Sequence, residues 1–163
     1  MSSSPNEQSP QRVVIYTDGA SRGNPGPGGY GVVMTFGKHR KELSEGYRLT
    51  TNNRMELLAV IRGLQALRKD GLSVLIYTDS KYVHDAVEKG WVFGWAKKNF
   101  AKKANPDLWR LFLSIYPRFK IKFQWVKGHS GHPMNERCDV LATEAADSGI
   151  WEIDQEYESL NKD

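Results

Sequence analysis

Apolar residues along this chain gather in short runs parted by glycine- and proline-bearing links, and two of those runs end alike. Val13-Val14-Ile15-Tyr16 is unbroken, predicts a strand buried on both faces, and leads straight into Thr17-Asp18-Gly19. Leu72 to Tyr77 repeats the theme and ends in Thr78-Asp79-Ser80. A buried strand would hold an acid at its end rigidly, with the oxygens facing a cleft. Simpler readings stand beside this one: Asp-Gly opens hairpin turns, and Asp79 suits the N-cap of a following helix.

The remaining pattern supplies neighbours for these two strands. Tyr30 to Phe36 and Leu43 to Leu49 read as strands joined by a turn at Gly37-Lys38, so the first three strands form an antiparallel meander. The link from Arg22 to Gly29 is glycine-rich but has no Gly-Lys-Ser/Thr and leads to a strand, which excludes a nucleotide phosphate loop. Thr51 to Glu56 opens a helix that runs to about Lys69, with Thr51 or Asn52 as cap and Leu57, Leu58, Ile61, Leu64 and Leu67 on its apolar face. Glu56 lines up with Ala59, Gly63 and Ala66. It is either a first-turn acid favoured by the helix dipole or a carboxylate leaning over whatever this small-residue stripe packs on. Helices over Lys81 to Glu88 and Asp107 to Tyr116, a strand over Phe119 to Val126 and a last helix beginning at Pro133 complete the order. On that last helix Cys138, Leu141, Ala142 and Ala145 pack inward, with Asp139 at the border. If the two Thr-Asp strands pair in parallel, Asp18 and Asp79 lie side by side at their carboxyl ends, where ligands of such sheets bind. Two carboxylates there repel unless something positive lies between them.

Composition narrows the class. The chain has 163 residues, 39% of them hydrophobic, which suits one compact domain. Residues 1–11 read as a disordered lead-in, 12–148 as the domain, and 149–163 as an acidic tail, either docked through Trp151 or loose. No apolar run approaches the ~20 residues that cross a bilayer. The polar start lacks a hydrophobic signal core and Cys138 stands alone, so a reducing, cytoplasmic setting is expected, without a disulfide or a multi-cysteine zinc site. Net charge is +4, and Lys89, Lys97, Lys98, Lys102 and Lys103 follow one another with no acid among them. Trp91, Phe93, Trp95 and Phe100 alternate with those lysines, as suits a polyanionic partner. A short helix with core aromatics and solvated lysines would look the same. His129, on a loop between Gly128 and Gly131, is a poor core residue and a fair proton carrier.

Asp18, Glu56, Asp79 and Asp139 form a set of four carboxylates without a cysteine or histidine cluster, which favours Mg²⁺ or Mn²⁺ over zinc. Beside a basic aromatic arm, the chemistry indicated is two-metal phosphodiester cleavage. At this point the sequence resembles type 1 ribonuclease H. The likeness is carried by Tyr16-Thr17-Asp18-Gly19, Gly23-Asn24-Pro25-Gly26, Thr51-Asn52-Asn53-Arg54-Met55-Glu56, Tyr77-Thr78-Asp79-Ser80, Trp125-Val126-Lys127-Gly128-His129 and Asn135-Glu136-Arg137-Cys138-Asp139, in the family's order from about Arg12 to Ala146.

The resemblance implies an α/β, ribonuclease H-like fold. Its five-stranded mixed sheet has strands 1–3 antiparallel, strands 4 and 5 parallel to strand 1, and helices on both sides. It implies Asp18, Glu56, Asp79 and Asp139 as ligands of two Mg²⁺ ions, with Mn²⁺ as substitute, and His129 as a mobile catalytic histidine. Gly19, Asn24, Asn52 and Asn53 would meet an RNA–DNA hybrid, the asparagines in its minor groove. Thr51 and Asn105 would hold a DNA-strand phosphate, and Trp91, Trp95, Lys97 and Lys98 belong to a basic protrusion that is a little short here. Lys81 stands where some members carry glutamine. The implied activity is endonucleolytic hydrolysis of the hybrid's RNA strand to 5′-phosphate and 3′-hydroxyl ends, by a monomer with no obligate protein partner. A catalytically silent hybrid-binding module is the alternative, and a missing carboxylate would mark it; none is missing. A detached reverse-transcriptase or transposase-type domain fits the basic arm less well.

Overall fold

The computed structural model describes residues 12–128 and 131–160. Strands β1 (Arg12–Ser21), β2 (Gly26–Phe36), β3 (His39–Thr50), β4 (Ser73–Thr78) and β5 (Lys120–Trp125) form one sheet in the order β3-β2-β1-β4-β5. β1 to β3 are antiparallel, whereas β4 pairs in parallel with β1 and β5 with β4. The helices are α1 (Asn52–Gln65), α2 (Lys81–Glu88), α3 (Trp91–Lys97), α4 (Pro106–Ile115), α5 (Pro133–Asp147) and α6 (Gln155–Leu160). The mixed sheet is the one that the resemblance implies; α1, α2, α4 and α5 answer to helices read in the sequence, α3 to the simpler reading of the aromatic arm, and α6 lies in what the sequence reads only as a tail.

Alternation along the strands sends α1 and α5 to opposite faces. A Cβ on Gly63 of α1 would meet Ile15 and Val32 side chains, while a Cβ on Gly31, the neighbour of Val32, would meet the Cys138 carbonyl of α5. Asp18 pairs directly with Gly31, so it shares the α5 face. The small-residue stripe of α1 thus works as its pattern suggests, with Gly63 letting the helix approach Ile15 closely. Leu57, Ile61, Leu64, Val60 and Met55 are fully buried in the core between α1 and the sheet.

Three boundaries differ from the sequence reading. β2 begins at Gly26 rather than Tyr30, and β3 at His39 rather than Leu43. Glycines 28 and 29, which read as loop, are paired strand residues; a Cβ on Gly29 would stand 2.5 Å from the Ala142 carbonyl, so α5 can seat there only against glycine. α1 ends at Gln65 rather than near Lys69: Ala66 closes it, its N–H reaching the Arg62 and Gly63 carbonyls, and farther on Gly71, at a left-handed φ of 82°, donates its N–H to the Arg118 carbonyl at 2.8 Å as the chain turns toward β4. On β1, Val13 and Ile15 are buried but Val14 and Tyr16 are only partly so.

The acidic tail is docked. The Glu152 N–H donates to the Gly46 carbonyl at 2.7 Å, Trp151 Nε1–H donates to the Ala146 carbonyl, and Arg48 forks onto Glu158. No helix among the described residues is long and apolar enough to cross a membrane.

Candidate active site

Asp18, Glu56 and Asp79 meet at the carboxyl ends of β1 and β4, with one carboxylate oxygen from each lying within 4.8 Å of the others. Three features of the chain bring them there. β1 and β4 run parallel and in register, Tyr16 opposite Tyr77, so the acid two residues beyond each tyrosine reaches the same end of the sheet. Thr17 Oγ1–H donates to the Tyr77 carbonyl at 2.9 Å and ties the two strand ends. Gly19 lets the end of β1 press against the start of α1: a Cβ there would stand 2.4 Å from the Glu56 nitrogen. Glu56 therefore comes over the end of the sheet from the α1 face. The Asp79 carbonyl accepts a hydrogen bond from Trp125 Nε1–H at 3.1 Å, and the N-cap of α2 is Ser80, not Asp79. That leaves the Asp79 carboxylate to the cleft.

Asp139, on α5, lines the same cleft, an open space of about 380 Å³, but stands outside the tight trio. Burial, reinforced by the charges of Asp79 and Asp139, pushes the Asp18 carboxyl up to about 8, against the Gly19 N–H that donates to its Oδ1 at 2.9 Å. Burial and the charges of Asp18 and Asp79 hold Glu56 well above the usual carboxylate range as well. Glu56 Oε1 and Asp79 Oδ1 are buried with no hydrogen-bond partner among the described residues. Two unit charges this close repel by roughly 3–4 kcal/mol at an effective dielectric of about 20. Ionising three carboxylates that converge around one backbone N–H therefore calls for cations. The donor set is all oxygen, which fits hard divalent ions.

Around the cleft, the sequence-predicted contact residues fall into two groups. Asn52 and Asn53, exposed at the start of α1, line the cleft with Gly19. Asn24 lies beside them rather than in it; its Oδ1 accepts the Asn52 N–H at 3.1 Å, and Ser21 Oγ–H donates to Asn52 Oδ1 at 2.9 Å. Thr51 and Asn105 are joined through Arg54. Thr51 Oγ1 accepts the Arg54 N–H as the α1 cap, and Arg54 Nη1–H donates to Asn105 Oδ1 at 3.2 Å. Asn105 Nδ2–H also donates to the Tyr82 hydroxyl. On the basic arm both readings hold in part. Phe100 is buried and Trp95 packs edge-on against Trp109, whereas Trp91, Lys97 and Lys98 are exposed. Asn99, Phe100, Lys102 and Asn105 all adopt left-handed φ values, a crowded run for side-chain-bearing residues. Phe100 is held there by the Arg110 guanidinium over its ring. His129 lies outside the described residues; His132, three positions on, caps α5 through its Nδ1 and packs near Tyr16 and Tyr77.

Sequence reasoning passed over Ser21, Arg54, Tyr82, Trp125 and Asp154. Only Arg54 carried a signal, as a cation amid the apolar positions of α1, which implies buried acids to meet it.

Comparison with known proteins agrees with this geometry. The sequence profile of the RNase H family matches residues 10–147. A ribonuclease H of Syntrophus aciditrophicus (strain SB) is 55% identical over 152 residues, spanning 90% of this chain and 87% of the relative. Among solved structures, LC9-RNase H1, a type 1 RNase H with the type 2 active-site motif, superposes with a TM-score of 0.76 at 31% identity, covering 84% of this chain and 72% of the other. LC11-RNase H1 in complex with an RNA/DNA hybrid superposes with a TM-score of 0.59 at 29% identity, covering 84% and 98%. Carboxylates at the strand ends, a mixed five-stranded sheet and near-full-length relatives together place this chain in the ribonuclease H family, as a nuclease of the hydrolase class.

Proposed function

We propose that the chain cleaves the RNA strand of RNA–DNA hybrids endonucleolytically, using two divalent ions held by Asp18, Glu56, Asp79 and Asp139, and leaves 5′-phosphate and 3′-hydroxyl ends. The observation that carries this reading is the trio of converging carboxylates with two buried oxygens lacking any donor. All-oxygen ligation favours Mg²⁺, with Mn²⁺ as substitute. Bound there, such ions make water nucleophilic at neutral pH and offset charge on the phosphate and the leaving 3′ oxygen.

The chain's own residues do the rest. Asp18, between Asp79 on the neighbouring strand and Asp139 on α5, is the shared ligand. His129 helps proton transfer or product release, so its loss slows turnover without ending it. Asn24, Asn52 and Asn53, with the Gly19 backbone, face the minor groove, where 2′-hydroxyls distinguish RNA from DNA. Thr51 keeps its hydroxyl proton and Asn105 a second Nδ2–H for a DNA-strand phosphate. Trp91, Trp95, Lys97 and Lys98 receive the DNA backbone. The hybrid bound by LC11-RNase H1 supports this substrate class. The protein acts as a cytoplasmic monomer without an obligate protein partner.

The test is cleavage of a labelled hybrid with Mg²⁺, with EDTA and with Asp18→Asn, beside duplex RNA and duplex DNA. Metal-dependent cutting of the hybrid's RNA strand alone, lost in the variant, is the expected result. Near-normal turnover by Asp18→Asn would overturn the scheme.

A further inference from the structure

Bound cations would offset part of the negative charge of the carboxylate cleft, and a fixed positive side chain beside it would further ease the approach of a polyanion. Among the described residues that line the cleft, Lys81 is the one cation; the others are the four acids and neutral groups such as Asn52, Asn53 and Tyr82. The arm's Lys103 belongs elsewhere, over Trp95 in a separate cavity with Trp91.

Lys81 is also placed, not merely present. Its Nζ rests 4.4 Å from the centre of the Trp125 ring. Trp125 is in turn fixed by its indole N–H to the Asp79 carbonyl at 3.1 Å. The lysine and the Asp79 carboxylate therefore share one anchor at the end of β4. Asp85, one helical turn beyond Lys81, is already engaged by His84 and Lys89. Lys81 is exposed.

We infer that Lys81 is a substrate-positioning cation, offering its ammonium to a backbone phosphate of the strand that lies over the carboxylates. This rests on the hybrid-cleaving reading above. A lysine here differs in kind from the glutamine of some relatives: an amide can read a base edge, whereas a point charge with three donors suits a phosphate and displaces a counterion. The competing account is a surface staple, in which Lys81 only covers Trp125 and steadies the end of β5.

The experiment compares hybrid binding by Asp18→Asn, which keeps the substrate intact, with Asp18→Asn carrying Lys81→Met, Lys81→Gln or Lys81→Arg, over a salt series. Lys81→Met and Lys81→Gln should both lower the slope of log affinity against log salt by about 0.7–0.9, and Lys81→Arg should restore it. The affinity gap from the parent should then shrink about threefold between about 50 and about 200 mM salt. Unchanged slopes with a lower melting temperature would leave only the staple and overturn the inference. Full affinity in Lys81→Gln would overturn it too, since that contact would be to a base edge. Failure of Asp18→Asn itself to prefer the hybrid over duplex DNA would instead bring down the functional reading, and this inference with it.

Discussion

Arg54, at the start of α1, and Asp154, in the acidic tail, lie 100 residues apart in sequence and form a buried two-pronged ion pair, Nε to Oδ2 at 2.7 Å and Nη2 to Oδ1 at 2.9 Å. The same guanidinium forks onto Asp107 at 2.9 and 2.7 Å and reaches Asn105. Thr50 Oγ1–H donates to Asp154 at 2.7 Å. One arginine thus joins the tail, the α1 cap and the residue before α4.

Replacing Asp154 with Ala strips one partner from a guanidinium whose side chain is only 4% exposed. Breaking a buried pair on one side costs about 3 kcal/mol or more, or roughly 6–12 °C for a domain of this size. Thermal and urea unfolding should register that loss, and hybrid affinity should fall through Asn105. A change under about 0.5 kcal/mol would mean that the tail is an ornament on the fold.

Acid should release this network late. Burial alone would raise the Asp107 carboxyl, but the Arg54 hydrogen bonds and charge outweigh it and hold the group below its ordinary value. A carboxyl with a lowered folded pKa contributes stability above its unfolded value, near 4, and loses it as pH falls through the lower folded value. Wild-type stability should therefore drop with acidification below about pH 4, and the Asp107→Asn variant should show a shallower drop there. Parallel acid-unfolding curves for the two would contradict the assignment.

The carboxylate cleft predicts the opposite sign. The raised Asp18 carboxyl, at about 8, keeps its proton in the folded, metal-free protein while the unfolded chain has lost it. Metal-free stability should fall as pH rises from about 4 to 8. Asp18→Asn should weaken that dependence, leaving the share of Glu56, and raise metal-free stability at pH 8 by on the order of a few kcal/mol, while abolishing activity. Mg²⁺ should raise the wild-type melting temperature, and much less that of the variant. Calorimetry with and without EDTA reads both effects. A variant that melts below wild type at pH 8 would remove the electrostatic account of the site.

Gly19 should tolerate no side chain. A Cβ there would lie 2.4 Å from the Glu56 nitrogen and the Met55 carbonyl carbon, both backbone, so β1 and α1 must part. Gly19→Ala should cost about 1–3 kcal/mol and reduce turnover beyond that loss, because it separates Glu56 from Asp18. Turnover per folded molecule equal to wild type would show that this approach does not set the site.

Asn24 serves two demands, since its Oδ1 accepts the first N–H of α1 while the residue stays exposed beside the cleft. Asn24→Ala should cost about 1 kcal/mol, as other lost caps do, and raise KM. Asn24→Asp keeps the accepting oxygen and should recover the stability alone. Equal stability of all three proteins would leave Asn24 no part in holding α1.

The sequence by itself determined the ingredients. The Val13–Tyr16 and Leu72–Tyr77 runs made β1 and β4 legible, and strands of this kind, linked through a helix, bring their terminal acids to one end of a sheet. The same alternation and capping signals announced α1, α2 and α5. What only the tertiary structure decided are through-space relations that periodicity does not encode. Gly28 and Gly29 read as loop, yet are strand; the reason for glycine at Gly29 is the surface of α5 against it, and at Gly28 the side chains of Thr50 and Met55, rather than a turn. Asp139 lines the cleft but stands outside the trio. Arg54, a cation on the apolar face of α1, implies buried acids that the sequence reading did not seek. That one of them is Asp154, in a tail legible as docked or loose, follows from burial: a guanidinium shut away from water must find its charge partners wherever the fold can bring them.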